Sequence, residues 1–588
     1  MTDYTLTTFD KNTREKLNFW KLARQFWHFL KDEKKKLIGA TLAIAVNSTA
    51  TIAAPFVLGY TIDHFIVQKN LNGITNFSLI LAGIYLITFV TNFVQVRIMG
   101  TLGQNILFKL RNSLFSKIQS LPLKFFNQNK IGDLISRINN DTDKLNQFFS
   151  QQLNQFVGNI FTLIGIGIFI FVINYRLAVV TLSAAIFLFI ITSIISPWIA
   201  QRNRLSLQSL GGLSAEVSES LNYFKVIVSF NRRDYFRENF NRSNTENFQM
   251  SFRSGIANNL MGPIYDFSGN LATLLVLLYG IFLITQGQLS IGILVSFLSY
   301  TDRFYGPLRQ MASLWAGVQT ALAAWNRIFE ILRLKSDMEI LPESKKKDTK
   351  SMMHFENVVF GYDEKKPVLK KVNFNFLEGK TYAIVGPTGG GKSTIASLMS
   401  RLYDPQQGTV YLNDCDIRTY RPEDLARKIG FILQEQYLFT GTVGENIVYG
   451  NPEFKNYSKK KLEKLLSELN LENLINKFED GLDTKITYNS DSISLGQKQL
   501  ISFIRAIIRH PELLIMDEAT ANIDTVTEGL LQTIIDKLPK NTTKVIIAHR
   551  LNTIKNADEI YFVNNGQVIT AESFKKSVEM IAKSKNNS

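Results

Sequence analysis

Cysteine is almost absent. The 588 residues hold one, Cys415, so no disulfide can form within the chain. A cleavable leader pattern is missing too: residues 1–18 are polar, and the first apolar run comes too late and is too long for one. No internal repeat stands out. Charge is missing in a patterned way. Five stretches, 37–62, 70–96, 145–175, 177–201 and 267–301, contain no Asp, Glu, Lys or Arg. A bilayer core about 30 Å thick needs roughly 20 helical residues, and buried helices of a soluble protein fit such runs poorly.

The composition agrees. Hydrophobic residues make up 45% of the chain, 43 of them Phe, and the net charge is +16. A mean hydropathy of +0.01 suits a membrane part joined to a soluble part. The positive charge points to a membrane surface rather than nucleic acid, because basic residues flank the apolar runs.

The stretch at 267–301 is too long for one span. Its middle, "TQGQLSIG" at 285–292, reads as a tight turn. Six spans follow, at about 37–62, 75–96, 150–173, 177–200, 262–284 and 290–312. Lys31, Lys34, Lys35 and Lys36 precede the first. Eight basic residues from Arg97 to Lys144 lie between the second and third, and eight from Arg202 to Arg253 between the fourth and fifth. The opposite loops carry only Lys69 and Arg176. Both termini are therefore expected on the cytoplasmic side. "FWKLARQFWHFL" at 19–30 is either an interfacial helix or a plain lead-in packed on the protein.

The long inner loops have helical patterning. A charged linker is expected over 334–352, between a membrane domain at 1–333 and a second domain at 353–588. There, β-rich runs such as "TYAIVG", "LLIMDEA" and "KVIIAH" alternate with helical patterns. The fold expected is a multidomain one: an all-α six-helix transmembrane domain followed by an α/β P-loop domain.

The chemistry lies in that second domain. Gly386-Pro387-Thr388-Gly389-Gly390-Gly391-Lys392-Ser393 fits the pattern G-x-x-x-x-G-K-[ST] after an apolar strand, with Thr394 next in the helix. Its glycines let backbone N–H groups wrap phosphates. Lys392 reaches toward the β- and γ-phosphates, and the Ser393 hydroxyl is a Mg²⁺ ligand. "LLIMDE" at 513–518 ends a buried-strand pattern in two carboxylates. Asp517 is placed to hold Mg²⁺ through water, and Glu518 to polarise the attacking water.

With these residues in place, the whole chain resembles an ATP-binding cassette exporter half-transporter of the multidrug or lipid type. The resemblance implies ATP and Mg²⁺ as cofactors, ATP hydrolysis coupled to export, and a multi-pass protein of a bacterial cell membrane. Tyr362 resembles the aromatic residue that stacks on adenine. Gln434 resembles the glutamine that touches Mg²⁺ and the water, Asp524 the aspartate of a dimer-contacting loop, and His549 the histidine at the γ-phosphate. Catalysis is thus assigned to Glu518, His549 and Gln434, and metal binding to Ser393, Gln434 and Asp517.

The stretch "SDSISLGQKQL" at 490–500 resembles the family's Leu-Ser-Gly-Gly-Gln turn, which closes over ATP held by a partner subunit. Ser494, Gly496 and Gln497 match it. Leu495 stands where the first glycine belongs, and its side chain is expected either to crowd the phosphate or to shift the backbone. The approach, Thr487 to Ser490, departs from the family pattern as well, and "ANID" departs from Ser-Ala-Leu-Asp. An intact nucleotide-holding face beside an altered turn implies a heterodimer with one competent site. A homodimer that tolerates Leu495 is the alternative.

In this resemblance, ATP draws two nucleotide-binding domains together and switches a membrane cavity between inward and outward openings. The transported substrate is a drug, a lipid or a peptide. Segments 122–133 and 207–217 resemble helices that dock on the nucleotide-binding domains. Asp266, Asp302 and Arg303, at or inside the spans, either line the cavity or form internal ion pairs and partner contacts. A membrane-anchored ATP-binding regulator or channel-gating subunit is the competing class. Glu518 and His549 speak against it, because a pure sensor needs neither. Six spans ahead of the cassette speak against a soluble repair or translation ATPase.

Overall fold

The computed structural model describes residues 4–6, 31–342, 351–363, 365–454, 456–487, 493–517, 525–547 and 557–571. Their contacts divide the chain into two compact units. One is Leu6–Gln119 with Ile131–Arg333; the other is Met1–Thr5, Ser120–Lys130 and Leu334–Ser588.

The first unit is helical throughout its described residues. Its long helices are α1 (Lys34–Thr61), α2 (Leu71–Gln119), α3 (Leu153–Ile173), α4 (Tyr175–Asn222), α5 (Arg233–Asn259), α6 (Met261–Thr285) and α7 (Ile291–Arg333). The 49 residues of α2 span about 74 Å, far more than a bilayer core, so this helix extends well beyond the membrane. Ile166, Ile170, Ala272, Val276, Phe297 and Tyr300 are fully buried between helices. Phe89, Phe93, Phe189 and Ile194 point outward and are exposed. In water such a surface would aggregate; in lipid it is solvated.

Five helical segments are long and apolar enough to cross a membrane by length and composition. The sixth expected span does form a helix, α7, which packs on α1, α3 and α6. It falls short of that measure because Asp302 and Arg303 interrupt its apolar run. A second expectation also shifts. Residues 207–217 lie inside continuous α4, and the short helix near that loop's tip is Phe224–Ser229.

The structure accounts for two of the three charges expected at membrane depth. Pro55 lies inside α1 and lacks an N–H, which leaves the Thr51 carbonyl without its intrahelical donor. Arg303 of α7 donates to that carbonyl at 3.3 Å. Tyr300 and Ser296 continue the seam, donating to the carbonyls of Ile52 at 2.7 Å and Pro55 at 2.8 Å. Beyond the end of α1, the Asp63 carboxylate accepts from the Gly292 N–H at 2.7 Å. The two helices touch backbone to backbone here: a Cβ on Gly292 would meet the Gly59 carbonyl at 2.0 Å. Arg303 is therefore a partner of the helix backbone. Asp266 pairs with Arg309 at 2.6 Å, while Asp302 stays exposed.

The second unit carries two main sheets. Strand β1 (Met353–Phe360) lies between β2 (Leu369–Phe376) and β4 (Gln407–Leu412), all antiparallel. The larger sheet uses β3 (Thr381–Val385), β5 (Ile429–Ile432), β6 (Leu513–Asp517), β7 (Thr543–Ile547), β8 (Glu559–Asn564) and β9 (Gln567–Ala571), in the order β9-β8-β3-β7-β6-β5. All neighbours are parallel except β8 and β9. All five residues of β6 are buried, the pattern of a strand covered on both faces.

Candidate nucleotide site

Sheet order brings the motifs to one edge. The chain leaves β3 into the Gly386–Ser393 loop, β6 at Asp517 and β5 toward Gln434. In an open parallel sheet this carboxyl edge is where ligands bind. Register aligns Ile547 with both Ile384 and Asp517, so β7 ends at the same level. Glu518 is the next residue after Asp517, and His549 comes two after Ile547. Both lie outside the described residues, as does Asp524.

The loop is shaped for phosphate. Gly386 (φ 150°), Gly389 (φ 79°) and Gly391 (φ 111°) have left-handed backbones. A Cβ on Gly386 would strike the Val563 carbonyl at 2.0 Å, and one on Gly390 would approach it to 2.8 Å. Only glycine leaves this concavity open. Helix α8 (Lys392–Met399) starts directly behind it, aiming its N-terminal N–H groups and positive dipole end at the loop. Lys392 is 5% exposed, and its ammonium donates to the carbonyls of Gly386 at 2.9 Å and Pro387 at 3.0 Å. The lysine charge is thereby held at the loop, where it would meet phosphate.

Ser393 donates to an Asp517 carboxylate oxygen at 3.3 Å, joining residues 124 positions apart. Hard oxygen donors at this spacing suit Mg²⁺. Among the described residues no group of three or more His, Cys, Asp or Glu side chains gathers. A metal here would therefore be completed by nucleotide phosphates and water, the usual Mg²⁺ arrangement beside a nucleotide. Gln434, two residues beyond β5, the strand next to β6, is exposed.

Tyr362 is half-exposed, with its hydroxyl 3.4 Å from Thr394 at the start of α8. Phe360 and Tyr403 stand edge-on to its ring at 5.3 and 5.4 Å. They fix the ring plane and leave a face free to stack. Nothing in "SRLYDP" marks Tyr403 as part of this cluster, so sequence reasoning passed over it. Burial pushes the Tyr403 phenol above its ordinary pKa, which keeps it a neutral hydroxyl.

Ser494, Gly496 and Gln497 form a separate group at the N-terminus of α9 (Leu495–Ile507). Ser494 caps that helix: its hydroxyl accepts from the Gln497 N–H at 3.2 Å, and the Gln497 side chain accepts from the Ser494 N–H at 2.8 Å. Gln497 also donates to the Lys477 carbonyl at 2.7 Å. Leu495 takes the first helical position, and its side chain is 49% exposed. The helix starts regularly at this leucine, so what it changes is the surface offered outward from the turn. Arg505, further along α9, is half-buried over Phe439 and Tyr449, and desolvation lowers its pKa.

A helical membrane unit on one chain with a P-loop α/β unit defines a class of membrane-bound nucleotide-dependent machines. The family model for the ABC transporter transmembrane region matches residues 37–308, and that for the ABC transporter matches residues 369–521. The chain belongs to the ABC transporter family. It is 34% identical to an uncharacterized ABC transporter ATP-binding protein, YfiC, of Bacillus subtilis, over 93% of this chain and 90% of the relative. It is 32% identical to a fatty acid ABC transporter ATP-binding/permease protein of Mycobacterium bovis, over 83% and 76%. It is 30% identical to an ATP-dependent lipid A-core flippase of Pectobacterium atrosepticum, over 94% and 95%. The chain is an integral membrane, nucleotide-binding half-transporter of exporter type, an ATPase whose hydrolysis drives export.

Proposed function

We propose that this chain is one half of a heterodimeric exporter in a bacterial cell membrane, with both termini cytoplasmic. The observation that carries the hydrolytic role is the Ser393–Asp517 contact beneath a glycine cradle and the Lys392 ammonium. ATP binds this face with adenine on Tyr362 and phosphates in the Gly386–Thr394 loop. Mg²⁺ would be held by Ser393 and Asp517, with Gln434 at its side, and would supply charge neutralisation at the phosphates. Glu518 orients the attacking water and His549 meets the γ-phosphate. A partner's turn completes this site. The turn Ser494–Gln497 of this chain serves the partner's nucleotide, and there Leu495 places an apolar side chain.

Two surfaces favour a dimer. The short helix Phe224–Ser229 and its flanks expose Leu221, Tyr223, Phe224, Val226, Val228 and Phe230. A row of this kind outside the membrane calls for an apolar partner. In the second unit, a groove of about 980 Å³ is lined by Phe439, Tyr449, Tyr457 and Arg509, among others. Nucleotide-driven closure of the two cassettes then biases a two-state cavity between inward and outward openings. The names of two relatives, a fatty acid transporter and a lipid A-core flippase, point to a lipid-like amphiphile as cargo.

The test is Leu495→Gly in the assembled transporter. Relief of crowding at the second site raises ATP turnover by about twofold, as two sites then work in place of one. Unchanged turnover, measured as phosphate release, would assign the defect to the approach segment or to the partner's own residues.

A further inference from the structure

Tyr4 lies far from every motif in the sequence, yet it is fully buried. All its polar groups are engaged within the second unit. Its N–H donates to the Gln128 side chain at 2.9 Å, and its carbonyl accepts from the Asn129 side chain at 2.9 Å. Its hydroxyl donates to the Lys335 carbonyl at 2.9 Å and accepts from the Asp337 N–H at 2.8 Å. Its ring stands edge-on to Phe125, which is itself fully buried, with centroids 6.3 Å apart. One residue thus clasps the short helix Leu123–Gln128 and the segment leading into the cassette, 331 positions further along the chain.

The same short helix reaches the nucleotide site. Asn127 donates to the Tyr403 hydroxyl at 2.6 Å, and Tyr403 braces Tyr362. A continuous set of contacts therefore runs from the aromatic residue assigned to adenine, through Tyr403 and Asn127, to the helix that Tyr4 holds. Helix Leu123–Gln128 connects directly to the chain on both sides that enters the membrane helices. A helix of six residues has little stability of its own, so its place depends on such ties.

We infer that Tyr4 is a positioning residue that locks helix Leu123–Gln128 to the Lys335–Asp337 segment, so that nucleotide binding at Tyr362 is transmitted to the membrane helices. The transmission part rests on the nucleotide reading above; the lock does not. A phenol suits the role because its hydroxyl bridges two backbone groups while its ring packs on Phe125. Phenylalanine preserves only the packing.

The experiment is hydrogen exchange of residues 123–128 in the assembled transporter in nanodiscs, for the wild type, Tyr4→Phe and Tyr4→Ala, with and without Mg-ATP plus orthovanadate. Binding of a fluorescent ATP analogue is read on the same samples. Expected is analogue binding unchanged throughout. Exchange at 123–128 without nucleotide rises by about tenfold in Tyr4→Phe and further in Tyr4→Ala. The nucleotide-dependent change at 123–128 is clear in the wild type, reduced in Tyr4→Phe and lost in Tyr4→Ala. Wild-type exchange rates in Tyr4→Phe overturn the lock. Faster exchange with an unaltered nucleotide response overturns the transmission. If the wild type binds no analogue, the nucleotide reading fails while the comparison without nucleotide still decides the lock. If Tyr4→Ala does not fold, Tyr4→Phe alone carries the decision.

Discussion

Replacing Glu518 with glutamine is expected to slow ATP hydrolysis by roughly 10²- to 10⁴-fold, the range for loss of a positioned general base. ATP binding is expected to remain within a small factor of wild type. The reasoning is geometric. Lys392, Ser393 and Asp517 gather at the carboxyl edge of the parallel sheet, and Glu518 follows Asp517 directly. Glutamine keeps the size and polarity of the side chain but cannot take the water's proton. Single-turnover phosphate release alongside equilibrium ATP binding checks both halves. Turnover within a few-fold of wild type would remove Glu518 from the reaction. Weak binding would place it among the nucleotide-holding groups instead.

The second large effect concerns stability. In the membrane unit, the Asp141 carboxylate is almost fully buried. It is held by the Arg327 guanidinium, one contact measuring 2.7 Å, with Lys144 at 3.4 Å. Beside it, buried Arg137 bridges Asp133 at 2.9 Å and Glu330 at 2.7 Å. These pairs join the chain that leads into α3 to the far end of α7. Arg327→Ala leaves a buried carboxylate with one weak partner. Losses of about 3–5 kcal/mol are typical of such a change. The unfolding midpoint in detergent is therefore expected to fall by several degrees or more. Removing both charges, with Asp141→Leu and Arg327→Leu together, is expected to restore much of that loss. A double variant as unstable as the single one would mean that shape, rather than the unpaired charge, sets the cost.

Much of this architecture is legible in the sequence, for identifiable reasons. Uncharged runs mark the spans because lipid admits little else. The phosphate loop is legible because its glycine positions are dictated by backbone geometry, as at Gly386 and Gly390. The Ser393–Asp517 contact is implied once both flanking strands are read as members of one parallel sheet, here with β7 between them. Other features depend on distant partners. Arg303 reads either as a cavity-lining charge or as an internal contact until Pro55, on another helix, is seen to free the carbonyl it satisfies. Segment 207–217 resembles a separate docking helix, but it lies inside α4, where Gly211 and Gly212 have open space around them and the long helix carries them through. The chain reverses only after Phe224–Ser229, where Asn231 adopts a left-handed backbone (φ 51°). Tyr4 carries no local signal at all, since its partners lie more than a hundred positions away.

In the proposed heterodimer this chain holds the hydrolytic nucleotide face and depends on a different partner for the turn that completes it. The most direct test is Mg-ATP hydrolysis by the chain purified alone in nanodiscs, with ATP binding and oligomeric mass measured on the same sample. Expected is a folded chain that binds ATP yet hydrolyses it no faster than its own Glu518→Gln variant. Activity is predicted to appear when a second half-transporter with a glycine in place of Leu495 is supplied. A stable homodimer that hydrolyses ATP, and loses that activity on Glu518→Gln, would contradict it: Leu495 would then be tolerated, and the machine would be built from two copies of this chain.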